Sequence, residues 1–317
     1  MCHPVRMCTI IRSLVFAGLV FFAFPALGST EAPEGRRGRG PEPGWSTFMR
    51  GGSVHQFDTD TDDGGSFNAD RVFIQGGVTY APDFRRSVSF SLGYGLDAYD
   101  FSGETGFAAL RPWENINAYR VSVPVRWGFA EAWTVFVIPT LRFVAESGAE
   151  LEDSMQGGGF AGVSYRFGDR LTIGPGIGVM SEIEDSATVF PVLIIKWKIT
   201  DRLSLETGRG LGATLGPGLV LGWKASDNWA FSIGGRYEKL RFRLDDKGMA
   251  PNGIGQDRTF PVFGGVGYSF SQRAQMSLLG GADLGGELRL EDEKGGLIAE
   301  EDYEPAGFVG IAFNVVF

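Results

Sequence analysis

His55 is the single histidine of the chain after residue 3, and Ser53 lies two residues before it. In an extended strand, residues two apart share a face, so a serine and a histidine at this spacing could belong to a hydrolytic site. Such a site needs an acid that orients the imidazole, and the sequence assigns none beyond the aspartates of the following segment. We therefore predict an isolated surface histidine and no enzymatic activity.

The segment from Asp58 to Gly64 (DTDTDDG) imitates the start of a calcium-binding loop, because acidic residues alternate along it. A calcium loop of this type needs glycine at its sixth position and glutamate at its twelfth, where this chain has Asp63 and Ala69. This segment and the later acidic segments therefore predict solvated loops without a metal or a cofactor. Divalent cations that bridge such loops to anionic lipid headgroups are the alternative.

Eight basic residues occupy the positions that alternate with apolar residues in short segments, so that in a strand they would lie on the face opposite to the apolar side chains. They are Arg120, Arg126, Arg142, Arg166, Lys196, Lys198, Lys224 and Arg236. Rings of one charge along a pore select ions of the opposite charge. If these residues line the lumen of a barrel, they predict a preference for anions near its periplasmic mouth. The alternative is a closed, packed barrel in which inward acids such as Glu206, Glu238 and Asp283 neutralise them.

Short segments with alternating apolar and polar residues recur from residue 45 onward, each near the 9 to 11 residues that a tilted strand needs to cross a bilayer. The predicted strands cover residues 46–57, 70–80, 87–97, 117–128, 133–144, 157–167, 171–180, 188–199, 203–209, 217–224, 229–242, 258–269, 274–285 and 305–317. Six short turns alternate with seven longer loops. This pattern predicts an all-β fold, an antiparallel up-and-down transmembrane β-barrel of about 14 strands.

Two features complicate this strand count. The glycine-rich stretch between residues 203 and 224 does not alternate cleanly, which leaves 12 strands as the alternative. Five prolines also fall inside predicted strands, where each one removes a hydrogen-bond donor of the ladder. They are Pro124, Pro139, Pro175, Pro191 and Pro261.

The side of each predicted strand that would face the lumen is not uniformly polar. It carries Phe73, Phe136, Ile138, Phe190, Val192, Ile194, Phe263 and Leu279, next to Gly174, Gly176 and Gly178. A barrel of about 14 strands is too wide for side chains alone to fill. A constricted pore and a partly apolar conduit are therefore both compatible with the sequence.

The tryptophans test this topology independently, because a membrane barrel collects amphipathic rings at the water interface. Trp45, Trp127, Trp133, Trp197, Trp223 and Trp229 all lie at strand ends beside short turns or at the first strand's start. Only Trp113 falls in a long loop. Six tryptophans at one level predict a periplasmic aromatic girdle, and a soluble β-sandwich would not explain their clustering.

The two ends of the chain predict its destination. Val309, Ile311, Phe313, Val315 and Phe317 alternate up to the last residue, which predicts a lipid-facing final strand that carries the assembly signal. Residues 1–28 have a basic start, a short apolar run and small residues for cleavage, which is typical of a secretory signal peptide. Residues 29–44 predict a flexible periplasmic leader, and residues 45–317 the barrel.

Removal of residues 1–28 takes away Cys2, Cys8, Arg6 and Arg12. The mature chain then has no disulfide, and 27 basic against 38 acidic residues give a formal charge of −11. Such a chain is a poor nucleic-acid binder. No later segment approaches the roughly 20 apolar residues of a spanning helix.

In its signal peptide, alternating strands, short turns, tryptophan girdle and terminal Phe317, the chain resembles bacterial outer-membrane β-barrels. The resemblance implies residence in the cell outer membrane, contact with outer-membrane lipids, and assembly by periplasmic chaperones and the barrel-assembly machinery. It leaves the oligomeric state open. A porin-like passive diffusion channel for small solutes is the leading expectation, and a conduit for apolar molecules or a closed structural barrel are the alternatives.

Overall fold

A computed structural model describes residues 42–183, 187–207 and 218–317. The predicted signal peptide and nearly all of the predicted leader lie outside this range, as does the glycine-rich segment 208–217. The strand segments are β1 Gly44–Asp60, β2 Ser66–Asp83, β3 Arg86–Ser102, β4 Asn115–Ser122, β5 Val125–Phe129, β6 Trp133–Glu146, β7 Met155–Phe167, β8 Leu171–Ser181, β9 Ala187–Lys198, β10 Leu203–Thr207, β11 Gly218–Lys224, β12 Trp229–Arg236, β13 Glu238–Arg243, β14 Ile254–Ser271, β15 Ala274–Glu291, β16 Leu297–Tyr303 and β17 Ala306–Val316.

These segments form one closed antiparallel barrel. The segments β4 and β5, β12 and β13, and β16 and β17 each follow one another along a single barrel strand, so the seventeen segments make fourteen strands. The barrel closes where β17 pairs with β1, and the backbone N–H of Phe317 donates to the carbonyl oxygen of Thr47 at 2.7 Å. The predicted 14-stranded barrel is confirmed, and the alternative of twelve strands is wrong.

Pro124 explains the break between β4 and β5, one of the three places where a barrel strand is divided into two segments. It falls between β4 and β5, where a missing N–H costs no ladder bond, and its carbonyl oxygen still accepts from the N–H of Ser89 at 2.8 Å. The other four prolines lie within paired strands.

The outer surface of the barrel is apolar because alternate residues of each strand point away from the lumen. On β3, the side chains of Val88, Phe90 and Leu92 are exposed on the outside, whereas the intervening Ser91 is buried inside. Exposed apolar residues of this kind recur on strand after strand, which suits a barrel surrounded by lipid. In the described part of the chain, no helix is long and apolar enough to span a membrane.

The end of the barrel that carries the short turns is called the periplasmic end here. All six predicted girdle tryptophans lie at this end with exposed side chains, and three of them pack on tyrosines of the neighbouring strand. The ring-centroid distances are 4.9 Å for Trp45 and Tyr80, 4.9 Å for Trp133 and Tyr165, and 4.8 Å for Trp229 and Tyr268. Their function as a membrane girdle stays a prediction.

The opposite, outer end differs from the sequence-based expectation. Strands β1 to β3, β14 and β15 extend several residues beyond their predicted ends, and most of the predicted loop 286–304 is a hairpin of β15 and β16. A short helix, α1 (Gly106–Leu110), and a 3-10 turn at Glu152–Ser154 also lie in the outer loops. The strands extend because their outer ends pack around a separate hydrophobic core.

The strand segment β13 leaves the barrel wall and crosses the outer opening. At its end, Arg243 pairs in parallel with Ala145 of β6, several strands away in the sheet order. On the other side, Thr61 forms a bridge with Tyr303, and the N–H of Asp62 donates to the carbonyl oxygen of Asp302 at 3.1 Å. The outer parts of β1 to β4, β6 and β13 to β16 therefore form a narrower ring, called the outer ring below.

The hydrophobic pattern inverts where strands enter the outer ring. On β12, Trp229, Phe231 and Ile233 point outward as lipid-facing residues do. Along β13 the same positions carry Lys239, Arg241 and Arg243, and the alternate positions carry Leu240 and Phe242, which belong to the apolar core of the outer ring. Arg241 and Arg243 are also buried, so this face of β13 packs against other parts of the protein and not against lipid.

Candidate functional site

The outer ring is filled by a dry hydrophobic core, called the apolar plug here. Its buried members are Phe67, Ala69, Tyr99, Phe101, Phe107, Ala108, Trp113, Ile116, Val144, Leu240, Phe242, Leu244, Ala250, Leu288, Leu290, Tyr303 and Ala306. Interiors packed in this way hold few voids larger than a water molecule. The apolar plug therefore fills the inside of the outer ring.

Trp113 lies at the centre of the apolar plug. Only 1% of its surface is exposed, and its ring centroid is 5.0 Å from Phe242, 5.5 Å from Phe107 and 5.6 Å from Phe101. The sequence placed Trp113 correctly in a loop but gave no sign that this loop folds inward. One feature of the sequence did indicate burial. Trp113 is not part of the predicted girdle, and a tryptophan away from the membrane interface needs another apolar environment.

Glu301 fixes the loops that carry the apolar plug. Its carboxylate accepts the backbone N–H of Asp63 at 2.6 Å and that of Phe107 at 2.5 Å, and its side chain is buried. The sequence predicted solvated loops for the later acidic segments, with divalent cations as the alternative, and Glu301 lies in the last of these segments, between Glu291 and Glu304. That interpretation is wrong for Glu301. Its carboxylate is buried, and both of its oxygens accept a backbone N–H, as buried polar groups require.

A polar layer lies under the apolar plug. Asp257 accepts hydrogen bonds from Tyr99 at 2.8 Å, from Tyr303 at 3.1 Å and from Arg71 at 3.1 Å. Asp257, Tyr99 and Arg71 border a cavity of about 70 Å³ together with Asp283. Burial raises the pKa of the Tyr303 phenol well above its usual value, and the Asp257 carboxylate raises it further. Tyr303 therefore stays protonated and donates to Asp257.

The seam between the outer ring and the wall formed by β7 and β8 is closed by charged groups. Glu182 lies 3.6 Å from Lys239 and 3.6 Å from Arg241, and Arg241 also pairs with Glu291 at 2.6 Å. Gln156, which points inward from β7, donates to the carbonyl oxygen of Arg241 at 3.4 Å. The side chains of Arg241 and Glu291 are buried, so this network is shielded from water.

A second closure of the outer ring involves Glu146 at the end of β6. Its carboxylate accepts the backbone N–H of Glu114 at 3.0 Å and that of Asp245 at 3.1 Å. Burial raises the pKa of this carboxyl group, while the two backbone donors lower it. Glu146 thereby joins the loop after β13 to the loop before β4.

The lumen below the seam has an apolar patch on the wall of β6 to β9. The patch consists of Phe136, Ile138, Phe160, Phe190, Val192 and Ile194, all partly exposed. The rings of Phe160 and Phe190 meet edge to face at 5.6 Å. The sequence predicted five of these residues but missed Phe160. Phe160 is an even number of residues from the inward-facing Arg166 on the same strand, so it should face the lumen as well.

The eight predicted basic residues divide into three groups by register and position. Arg126, Arg166, Lys196, Lys198 and Lys224 lie near the periplasmic end, where Lys198 pairs with Asp201 at 3.3 Å and Lys224 with Asp227 at 3.1 Å. Arg236 pairs with Glu238 beside the cavity. Arg120 and Arg142 are direct cross-strand partners higher in the barrel. Their roles in permeation stay predictions.

The predicted isolation of His55 is wrong. Its Nδ1 lies 2.8 Å from a carboxylate oxygen of Asp70, the residue directly opposite on β2. Its ring packs edge-on against Phe57 at 5.2 Å. Within the described residues, Ser53 forms no hydrogen bond with His55, so the serine and the imidazole are not arranged as a nucleophile and its base. The missing acid could have been found from the strand register.

A closed 14-stranded antiparallel barrel with an apolar exterior, an aromatic periplasmic end and a partly apolar lumen defines the class of this protein. It has the fold of bacterial outer-membrane β-barrel proteins. No protein-family profile matches the sequence, and no curated protein matches it.

Solved structures nevertheless share its architecture. The chain is similar to an outer membrane channel from Pseudomonas putida F1, with a TM-score of 0.51 and 10% identity over 90% of this chain and 100% of that chain. It is also similar to the P. putida toluene transporter TodX, with a TM-score of 0.47 and 11% identity over 87% of this chain and 91% of that chain. For a FadL homologue from Pseudomonas aeruginosa the TM-score is 0.41 and the identity 12%, over 93% of this chain and 99% of that chain. Likeness at such identities concerns the fold alone.

Proposed function

We propose that this protein is an outer-membrane channel for small apolar molecules. The observation that carries the proposal is the apolar patch of Phe136, Ile138, Phe160, Phe190, Val192 and Ile194 in the lumen. Partly exposed apolar surface in a water-filled lumen is unfavourable by roughly 25 cal/mol per Å² relative to covered surface. A ligand that covers the patch gains this free energy, and the wide lumen leaves room for it.

The outer end supports this proposal over an open porin. A general diffusion pore needs a continuous aqueous path, whereas the apolar plug fills the outer ring and the Arg241 network joins that ring to the end of β8. An outer end narrowed in this way, with an apolar site beneath it, fits a channel that opens for particular molecules. The similarity to an outer membrane channel with a TM-score of 0.51 supports the fold that such a channel needs.

The proposal is tested with an apolar dye that intact outer membranes exclude, such as N-phenyl-1-naphthylamine. Cells that produce the protein should take up the dye faster than cells without it. Exchange of Phe160→Gln together with Phe190→Gln should reduce uptake by at least about tenfold, because full covering of even one phenylalanine contributes about 1.5–3 kcal/mol and about 1.4 kcal/mol corresponds to a factor of ten in affinity. The matched control is Ser232→Gln, a change on the lumen side of β12 away from the patch.

Equal uptake by the double variant and the wild type would contradict an apolar site on this wall. Planar-bilayer recordings add a separate criterion. A steady, voltage-independent ion conductance of the unmodified barrel would favour the porin-like diffusion channel instead.

We also propose that residues 1–28 direct export and are cleaved, and that the final strand directs assembly in the outer membrane. Val309 and Phe317 are exposed on the outside of the barrel, and register places Ile311, Phe313 and Val315 on the same face of β17. Periplasmic chaperones and the barrel-assembly machinery are the partners that this proposal implies.

Deletion of Phe317 tests the assembly proposal. We expect the variant to accumulate in the periplasm, because the strand that closes the barrel against β1 loses its terminal aromatic ring. Cell fractionation measures the ratio of membrane-inserted to periplasmic protein. The control is Phe270→Ser, which removes an outward aromatic ring at the same end of β14. A normal outer-membrane yield of the deletion variant would argue against an assembly signal at Phe317.

A further inference from the structure

A continuous row of cross-strand partners crosses nine neighbouring strands on the lumen side of the barrel. In order, its members are Ser269, Gln275, Asn314, Arg50, Gln75, Gly93, Arg120, Arg142 and Gln156. Each member lies directly opposite the next in the register. The row therefore consists of hydroxyl, amide and guanidinium groups, with one glycine and without a carboxylate.

The row climbs through the barrel because the strands are tilted. It begins beside the periplasmic turn between β14 and β15, at Ser269 and Gln275. It ends at Gln156, near the outer end of β7, whose side chain reaches Arg241 in the seam. The row thus connects the periplasmic mouth with the outer seam as it winds around nine of the fourteen barrel strands.

Hydrogen bonds between neighbours orient the side chains of this row. Arg50 donates to Gln75 at 2.8 Å, and Gln75 donates to Ser91 at 2.9 Å. Farther along, Arg142 donates to Gln156 at 2.7 Å. An amide oxygen thus orients each of these two guanidinium groups, and the carboxylate of Glu182 also acts on Arg142.

Arg120 is the exception, because its Nε is buried and makes no hydrogen bond with any group of the described residues. The charges that act on Arg120 come from Arg142 and Arg50, both of its own sign. A buried donor without an acceptor is unfavourable by about 1–3 kcal/mol, and more for a charged group. The Nε–H of Arg120 can therefore donate to an anionic ligand.

The apolar patch begins directly below Arg142. On β6 the next lumen-facing residues towards the periplasm are Thr140 and Ile138, and Ile138 lies opposite Phe160 of β7. Four residues of a strand span ~13 Å. A charged group held at Arg142 and an apolar body against Ile138 and Phe160 thus fit one small molecule.

We propose that the lumen binds small organic anions, namely carboxylates or sulfonates with an aliphatic or aromatic body. The anionic group binds Arg120 and Arg142, and the apolar body covers Ile138 and Phe160. This inference rests on the proposed function, since it assigns a charge to the molecules that use the apolar patch. The periplasmic basic residues are less suited, because Asp201 and Asp227 already pair with Lys198 and Lys224.

The experiment compares a charged probe with its neutral counterpart. The full chain, purified in a non-ionic detergent, is titrated calorimetrically with naphthalene-2-sulfonate and with naphthalene-2-methanol. The sulfonate should bind at least about tenfold more tightly than the neutral probe. A hydrogen bond to a charged group contributes more free energy than a tenfold change in affinity requires. Arg120→Gln should remove this difference and leave binding of the neutral probe unchanged.

Two further variants locate the site. Arg120→Lys keeps the charge and should retain part of the preference for the sulfonate. Arg126→Gln removes one lumen-facing guanidinium near the periplasmic end, and it should leave both affinities as they are. Circular dichroism of each variant checks that the barrel is intact.

The outcomes separate this inference from the proposed function. Equal affinity of the wild type for both probes overturns the anion site and leaves the apolar channel standing. Loss of the preference in Arg126→Gln but not in Arg120→Gln also overturns it, because the anion then binds at the periplasmic mouth. If neither probe binds, the proposed function fails together with the inference.

Discussion

Replacement of Trp113 by alanine is expected to open the outer end of the barrel. The side chain is fully enclosed by the apolar plug, and removal of a buried tryptophan typically costs about 3–5 kcal/mol. The loss falls on the outer ring and not on the barrel wall, because Trp113 contacts the rings of Tyr99, Phe101, Phe107 and Phe242. We therefore expect the variant to conduct ions and to lose protease resistance in its outer loops.

Single-channel recording and limited proteolysis of the reconstituted protein measure both effects. The matched control is Trp223→Ala, which removes a lipid-facing tryptophan. That variant should conduct ions no better than the wild type, which controls for the general effect of losing a tryptophan. A Trp113→Ala barrel that stays closed and protease-resistant would show that the apolar plug does not form the barrier.

The second large effect is expected from Arg241→Ala at the seam. This exchange removes the cation that Glu182 and the buried Glu291 share, and leaves Lys239 beside Glu182 and Arg289 beside Glu291. Removal of one partner of a buried ion pair costs about 3–5 kcal/mol when the remaining charge is uncompensated, so the two remaining cations should reduce the cost below that range. Repulsion between the two carboxylates should separate β13 from the wall of β7 and β8.

Urea unfolding of the reconstituted barrel and dye uptake by cells measure this opening, which should lower stability and raise uptake. The control is Lys247→Ala in an exposed loop, where the ion pair with Asp245 contributes at most about 1 kcal/mol. Wild-type stability and uptake in Arg241→Ala would indicate that the seam is not held by this network.

The membrane-embedded part of the fold could be predicted from the sequence with good accuracy. A strand repeats every two residues, so Val88, Phe90 and Leu92 alone define both the element and its lipid-facing side. Short turns then fix the direction of each following strand, and the tryptophans identify one end. The inward phase of Arg120 and Arg142 follows from the same rule.

The outer ring could not be predicted in the same way, because loop packing depends on contacts between distant segments. Nothing near Trp113 in the sequence indicates that it meets Phe242, and nothing near Glu301 indicates that it binds the N–H of Phe107. One local signal was available. The exchange of apolar for basic residues on the outward face of β13, at Lys239 and Arg241, marks the point where the strand leaves the membrane.

For the candidate site, the sequence supplied most residues but not their grouping. It named Arg120 and Arg142 together with six other basic residues, and only the register shows that these two are adjacent. It assigned the anion preference to the periplasmic mouth, where turn acids such as Asp201 pair with the basic residues. Whether a basic side chain can bind an anionic ligand depends on the acidic groups beside it. Those acidic groups can come from segments far away in the sequence.

The composition of the apolar plug determines the order in which this protein can fold. Phe67 near the start of the barrel and Tyr303 near its end meet at 5.0 Å in the same core. Their side chains share that core only after the first and last strands have come together, and contacts of such large sequence separation form slowly. The wall must also traverse the bilayer before its outer extensions can pack. The apolar plug is therefore expected to pack only after the barrel wall has closed.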